Sequence, residues 1–169
     1  GTISGGTAIS PTVELSVRTD TSSDLLAIST PITGTQVMNK SGAGTLTLSG
    51  ANTFTGVTHL NNGTLNLQNQ LALQSSTLTM RGGTVVFDSS VTGNAFTLGS
   101  LAAVFAQGLG IALQNNAGSP APIALSVGNN NASTTYGGIL SGPGTLTKIG
   151  TGTLTLSGLS TDTGKTTVA

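Results

Sequence analysis

The chain contains no cysteine and no tryptophan, and aromatic residues make up only 3% of its 169 positions. Charged residues account for 6%, against roughly 25% in an average soluble domain. Without cysteine no disulfide can staple the fold. Lys plus Arg equals Asp plus Glu, so the net charge is zero. That leaves no basic footprint of the kind a nucleic acid partner requires. No apolar run approaches the roughly 20 residues of a membrane helix. The opening G-T-I-S-G-G-T-A has neither a basic n-region nor an apolar h-region, so no signal peptide is read there. The chain stops in mid-pattern at K-T-T-V-A, as expected of a piece cut from a longer exported protein.

What is present is glycine (25 residues), 36% hydrophobic residues and a background of Thr, Ser and Asn. Mean hydropathy is +0.24, the opposite of the low-hydropathy, high-charge signature of disorder. The length fits one domain, residues 1–169.

One stretch is written twice. Lys40–Gly50, K-S-G-A-G-T-L-T-L-S-G, returns as Lys148–Gly158, differing only at Ser41/Ile149 and Ala43/Thr151. Alternation in T-L-T-L puts Leu46 and Leu48 on one strand face and Thr45 and Thr47 on the other. Gly42, Gly44 and Gly50 supply the bends. From Gly44 a beat sets in: G-T-L at Gly44, G-T-L at Gly63 and G-T-V at Gly83, steps of 19 and 20 residues. A second series, ending at Leu60, Met80 and Leu98, interleaves with the first. Internal periods of this size signal a solenoid.

Parallel strands need a crossover, usually a helix, and no convincing helix lies between the G-T-L elements. A crossover made of strands gives a right-handed parallel β-helix with coils of about 20 residues. An antiparallel sandwich would also show frequent turn signals, but not one tripeptide returning at a fixed step. Eight or so coils at about 4.8 Å per strand would stand roughly 40 Å tall. The expected interior is Leu46, Leu48, Leu65, Leu67, Met80, Val85, Phe87, Leu154 and Leu156, with Leu46, Leu65 and Val85 stacked in adjacent rungs. Val13, Leu15 and Val17 read as an earlier strand with Glu14, Ser16 and Arg18 facing out. The window Leu101–Gln107 reads as a fully buried strand. All five aromatics, Phe54, Phe87, Phe96, Phe105 and Tyr136, fit as core or turn-stacking residues.

The run Gly42–Leu67, G-A-G-T-L-T-L-S-G-A-N-T-F-T-G-V-T-H-L-N-N-G-T-L-N-L, resembles the autotransporter-associated β-strand repeat, also called the passenger-associated transport repeat. Tyr136–Gly158 resembles the same unit, and the repeat units lie near 24–67 and 130–169. The second copy departs at Leu159–Gly164, where Asn52 and Phe54 have no counterparts. The resemblance implies a passenger segment of a bacterial autotransporter, extracellular or at the cell surface. It also implies, as partner, a translocator β-barrel elsewhere in the parent chain, holding it at the outer membrane. In such proteins the repeat is thought to aid transport and folding at the surface.

No catalytic, cofactor-binding or metal-binding residue is assigned from the sequence. His59 is the only histidine and points outward beside Leu60; a zinc site needs three or four ligands. Among the acids only Asp20 and Asp24, with Arg18, are close together, which reads as a polar loop with calcium as a remote alternative. A polysaccharide-cleaving β-helix would need two or three converging carboxylates, with Asp88 and Asp24 the ones to test. Gly142–Lys148 lacks the phosphate-loop spacing. Lys40 and Lys148 are expected at turn edges with their heads in solvent. The Thr-x-Thr pairs read as exposed strand faces. Three classes compete, namely structural passenger segment, adhesin or carbohydrate-binding module, and enzyme. The scattered charge and the single outward histidine argue against the last, so no catalytic activity and no bound cofactor are expected. Adhesion would be hosted by the loops Asn115–Pro122 and Asn129–Thr135, which exceed what coil-to-coil turns require. Neither end looks like a cap, so end-to-end self-association or fraying of the terminal coils is expected, with Thr166 taken as outward.

Overall fold

The computed structural model describes residues 1–103 and 108–169. Within them the chain is all-β: parallel strands stack as a β-solenoid of about eight turns, with no α-helix. The Leu101–Gln107 strand reading is met at Leu101–Ala103, which closes the strand Ala95–Ala103. The remainder of that window, Phe105 included, lies outside the described residues.

Successive coils superpose like on like. On one face Leu25–Ile28, Thr45–Leu48, Thr64–Leu67 and Thr84–Phe87 pair in parallel. Leu46, Leu65 and Val85 occupy adjacent rungs, as do Leu48, Leu67 and Phe87. These six are buried, Leu46, Leu48 and Leu65 completely, and each such Leu contributes about 1.5–3 kcal/mol of burial. A second face stacks Leu15–Arg18, Met38–Ser41 and Thr58–Leu60 onto the later half of Leu73–Met80. A third begins as the bridge Ile9–Ile32. It becomes regular from Leu73–Met80 and Ala95–Ala103 through Ala124–Val127 and Thr145–Lys148 to Thr166–Val168. The two long strands, of eight and nine residues, run across both of these faces and join them into one ten-stranded sheet.

The duplicated stretch does not occupy the same face twice. In the first copy Lys40 is the penultimate residue of Met38–Ser41, a strand of the second face, and Thr45–Leu48 belongs to the first. In the second copy Lys148 ends a strand of the third face. Leu154–Leu156 then joins the second face by pairing with Thr134–Tyr136. The repeat encodes a corner, a strand end plus a glycine turn plus a strand start, and a corner fits at any vertex of the coil.

Three interior expectations are corrected. Val13 precedes the strand Leu15–Arg18 and is 71% exposed. Leu154 is half-buried and Leu156 is 38% exposed, because no further coil covers the last one. Thr166 pairs with Leu146 and stands in the inward column above it; the outward residue is Thr167, beside Thr147. Of the aromatics, Phe54, Phe87, Phe96 and Tyr136 are buried, and the rings of Phe87 and Phe96 pack 4.8 Å apart at 56°.

Candidate functional site

The corners are held by polar side chains turned inward. Lys40 alternates with Met38 along its strand, so it shares the inward column of Val17 and Leu60 and is fully buried. The expectation of a solvated lysine is therefore wrong for Lys40, and for Lys148, which is 8% exposed. An ammonium leaves water only if its donors are met. The Lys40 ammonium donates to the carbonyl oxygens of Ser41 (2.9 Å), Gly42 (2.9 Å) and, one coil on, Asn62 (3.1 Å). Burial pushes its pKa below the ordinary lysine value. Lys148 repeats the grip on the carbonyls of Ile149 and Gly150. At another corner Asn52, 2% exposed, accepts from the Ile32 amide (2.8 Å) and donates to the Ala72 carbonyl (2.9 Å), tying three coils. Ser160 stands in its place in the second copy and, among the described residues, its hydroxyl accepts from the Leu140 amide alone.

Two longer loops flank the strand Ala124–Val127, one before it and one after. The first is wound around buried Asn115, whose carboxamide oxygen accepts from the amides of Ala117 (3.2 Å) and Ala121 (2.9 Å). Its Nδ2 donates to Asn94 one coil back (3.0 Å). Beyond that anchor Gly118, Ser119 and Pro120 are exposed. The second loop is bolted down by a run of three asparagines. Asn129 donates to the Gln74 carbonyl, Asn130 donates to Thr77 and accepts from Ser100, and Asn131 accepts from the Thr151 amide. Asn131 adopts φ +59°, a conformation asparagine tolerates better than most residues. Between the loops the outward residues Thr97, Ser126 and Thr147 form one uncharged ladder. Both loops were legible as excess length; their asparagine anchors were not, although the Asn115–Asn116 pair and the Asn129–Asn131 run stood in the sequence.

The remaining polar candidates stay apart. His59 is outward and half-buried, with Nε2 3.4 Å from the Arg81 guanidinium and no partner for its buried Nδ1 among the described residues. Burial and the Arg81 charge push its pKa down, with Glu14 opposing. Arg18 and Asp20 form an exposed ion pair. Asp24 caps the Thr21 amide, which lowers its pKa. Asp88 follows the strand Thr84–Phe87 and is hydrogen-bonded to Ser90 and Asn66. Among the described residues no three His, Cys, Asp or Glu side chains gather where a metal could be held. The pair Asp24 and Asp88 is not brought together by any contact: one lies in the first full coil, the other three coils later.

Residues 38–67 and 146–169 match the family model described as passenger-associated-transport-repeat. The two segments are passenger-associated transport repeats. Each takes in one corner lysine and the glycine turn after it, so the transport-repeat pattern is a corner pattern in three dimensions. Along 174 aligned residues the chain is 38% identical to the adhesin BmaC autotransporter of Brucella suis biovar 1 (strain 1330). The match takes in 99% of this chain and 4% of that protein, so the chain spans a small fraction of its relative's length. No solved structure matches it.

Proposed function

We propose that the chain is a structural β-solenoid segment of a bacterial autotransporter passenger, displayed outside the cell. The observation that carries this reading is the pair of transport repeats set into one continuous parallel stack. Such a stack grows coil by coil, each buried by the next, and with no disulfide to form it suits a chain that crosses a membrane unfolded and folds on emerging. In the parent protein a translocator β-barrel would hold it at the outer membrane. The segment's work is mechanical and positional, without chemistry of its own. Limited proteolysis of intact cells producing the full-length parent tests this. Cleavage within the segment on whole cells, after destabilising its corners, supports the reading; a segment protected until the outer membrane is broken overturns it.

A second reading is adhesion, favoured by the two anchored loops. A flat uncharged ladder with Gly118–Pro120 on one side and Asn129–Asn131 on the other would suit a neutral ligand. Replacing residues 117–120 with a short glycine linker should then abolish binding of parent-bearing cells to host surfaces without altering display.

A further inference from the structure

Asn62–Gly63 is the one Asn-Gly step in the sequence, and the fold surrounds it unusually. The other corner and loop asparagines reach across coils with their carboxamides: Asn52, Asn69, Asn115, Asn129 and Asn130 all hold groups 20 or more residues away. Asn62 is exposed and turns its carboxamide back on its own successor, with the Gly63 amide nitrogen 2.8 Å from Oδ1. Gly63 takes φ +72° and carries no side chain to shield that nitrogen. A Cβ there would collide with the carbonyls of Gly42 and Gly44. The carbonyl of the same peptide link, Asn62 O, accepts the buried Lys40 ammonium at 3.1 Å.

We propose that Asn62 is a site of spontaneous deamidation promoted by Lys40. The Gly63 nitrogen loses its proton to water and attacks Asn62 Cγ. The N–Cγ bond forms, the Cγ–Nδ2 bond breaks, and Nδ2 leaves as ammonia after taking up a proton. Water then opens the five-membered imide at either carbonyl, leaving an aspartate at this position or its β-linked isomer; nothing is oxidised or reduced. The difficult step is deprotonation of a peptide N–H, and the negative charge it creates spreads onto Asn62 O. A fixed ammonium on that oxygen is the arrangement that stabilises such charge, and Lys40 is fixed by its bonds to Ser41 and Gly42. The product places a carboxylate beside a buried cation whose partners are all backbone carbonyls.

The test is peptide mapping by mass spectrometry of the purified chain held at mildly alkaline pH, folded and in urea. The folded chain is expected to exchange amide for acid at residue 62 about tenfold faster than the unfolded one, with Asn52 and Asn115 unchanged. Lys40→Met should remove that excess. If Lys40→Met does not fold, the comparison of folded and unfolded wild type decides alone. A folded chain that converts no faster than the unfolded one, or a folded Lys40→Met chain that converts as fast as wild type, overturns the proposal.

Discussion

The Lys40 ammonium donates to the carbonyl oxygen of Asn62, 22 residues on and one coil away, at 3.1 Å. One side chain thereby closes its own turn and fixes the next turn above it. Its three acceptors are backbone groups inside a corner, and a buried carbonyl without a donor costs free energy.

Lys40→Met keeps the length and apolar stem but leaves those carbonyls unmet. The expected loss is about 2–4 kcal/mol, read as a fall in the urea midpoint at constant slope. Lys148→Met should cost less, because Lys148 grips two carbonyls of a single turn. Equal losses for the two would mean that the bond to Asn62 contributes nothing.

Asn52→Ala should be comparably harmful, at about 2–3 kcal/mol, since it strands the Ile32 amide and the Ala72 carbonyl together. Ser160→Ala, at the matching place in the second copy, removes one long contact of 3.3 Å at the edge of the stack. Thermal melts of the two variants should therefore separate clearly, with Ser160→Ala close to wild type.

These corner residues mark where the sequence was readable and where it was not. The rungs through Leu46, Leu65 and Val85 followed from alternation and a fixed step, because burial of every second residue is a purely local pattern. Lys40 sits at an equally local inward position, two residues after Met38, yet its charge argued for solvent. Only the carbonyls of Ser41, Gly42 and Asn62, brought to it by the corner and the next coil, make that burial tolerable. Leu154 and Leu156 repeat Leu46 and Leu48 letter for letter but stay partly exposed, since burial depends on having a coil on each side. The loops showed as surplus length at 115–122 and 129–135, whereas Asn115 and Asn130 as their anchors depend on partners such as Asn94 and Thr77 that only folding brings near.

Acid should weaken the fold at Asp88. Burial alone would raise its pKa, but hydrogen bonds from Ser90 and Asn66 oppose that and leave it lowered. A carboxylate with a depressed folded pKa binds fewer protons folded than unfolded. Its stabilisation is complete above the unfolded value near 3.8 and is lost as pH falls through the lower folded value. Asp88→Asn should flatten that acid limb of the stability curve while leaving the neutral limb sloped as before. An unchanged acid limb would assign the titration to another group.

The ends of the isolated segment should stick to one another. At the first coil Ile3 and Val13 are 44% and 71% exposed; at the last, Leu156, Leu159 and Val168 are 38%, 88% and 83% exposed. Val168 stands directly on Lys148 in the inward column, so its exposure is that of a core position lacking its next rung. The edges of Thr166–Val168 and Leu154–Leu156 are likewise paired on one side only, and an open apolar edge is a template for another strand. Coils flanking the segment in a longer protein would cover both ends, but the separate segment must cover them with copies of itself. Sedimentation should show growth in mass with concentration. Leu159→Lys combined with Val168→Lys should suppress it through charge repulsion and desolvation cost without changing the circular dichroism spectrum. Thr167→Lys, on the outward ladder, should leave association in place. A strictly monomeric wild-type segment at high concentration, with its terminal coils protected from amide exchange, would show that the exposed leucines and valines do not make the ends adhesive.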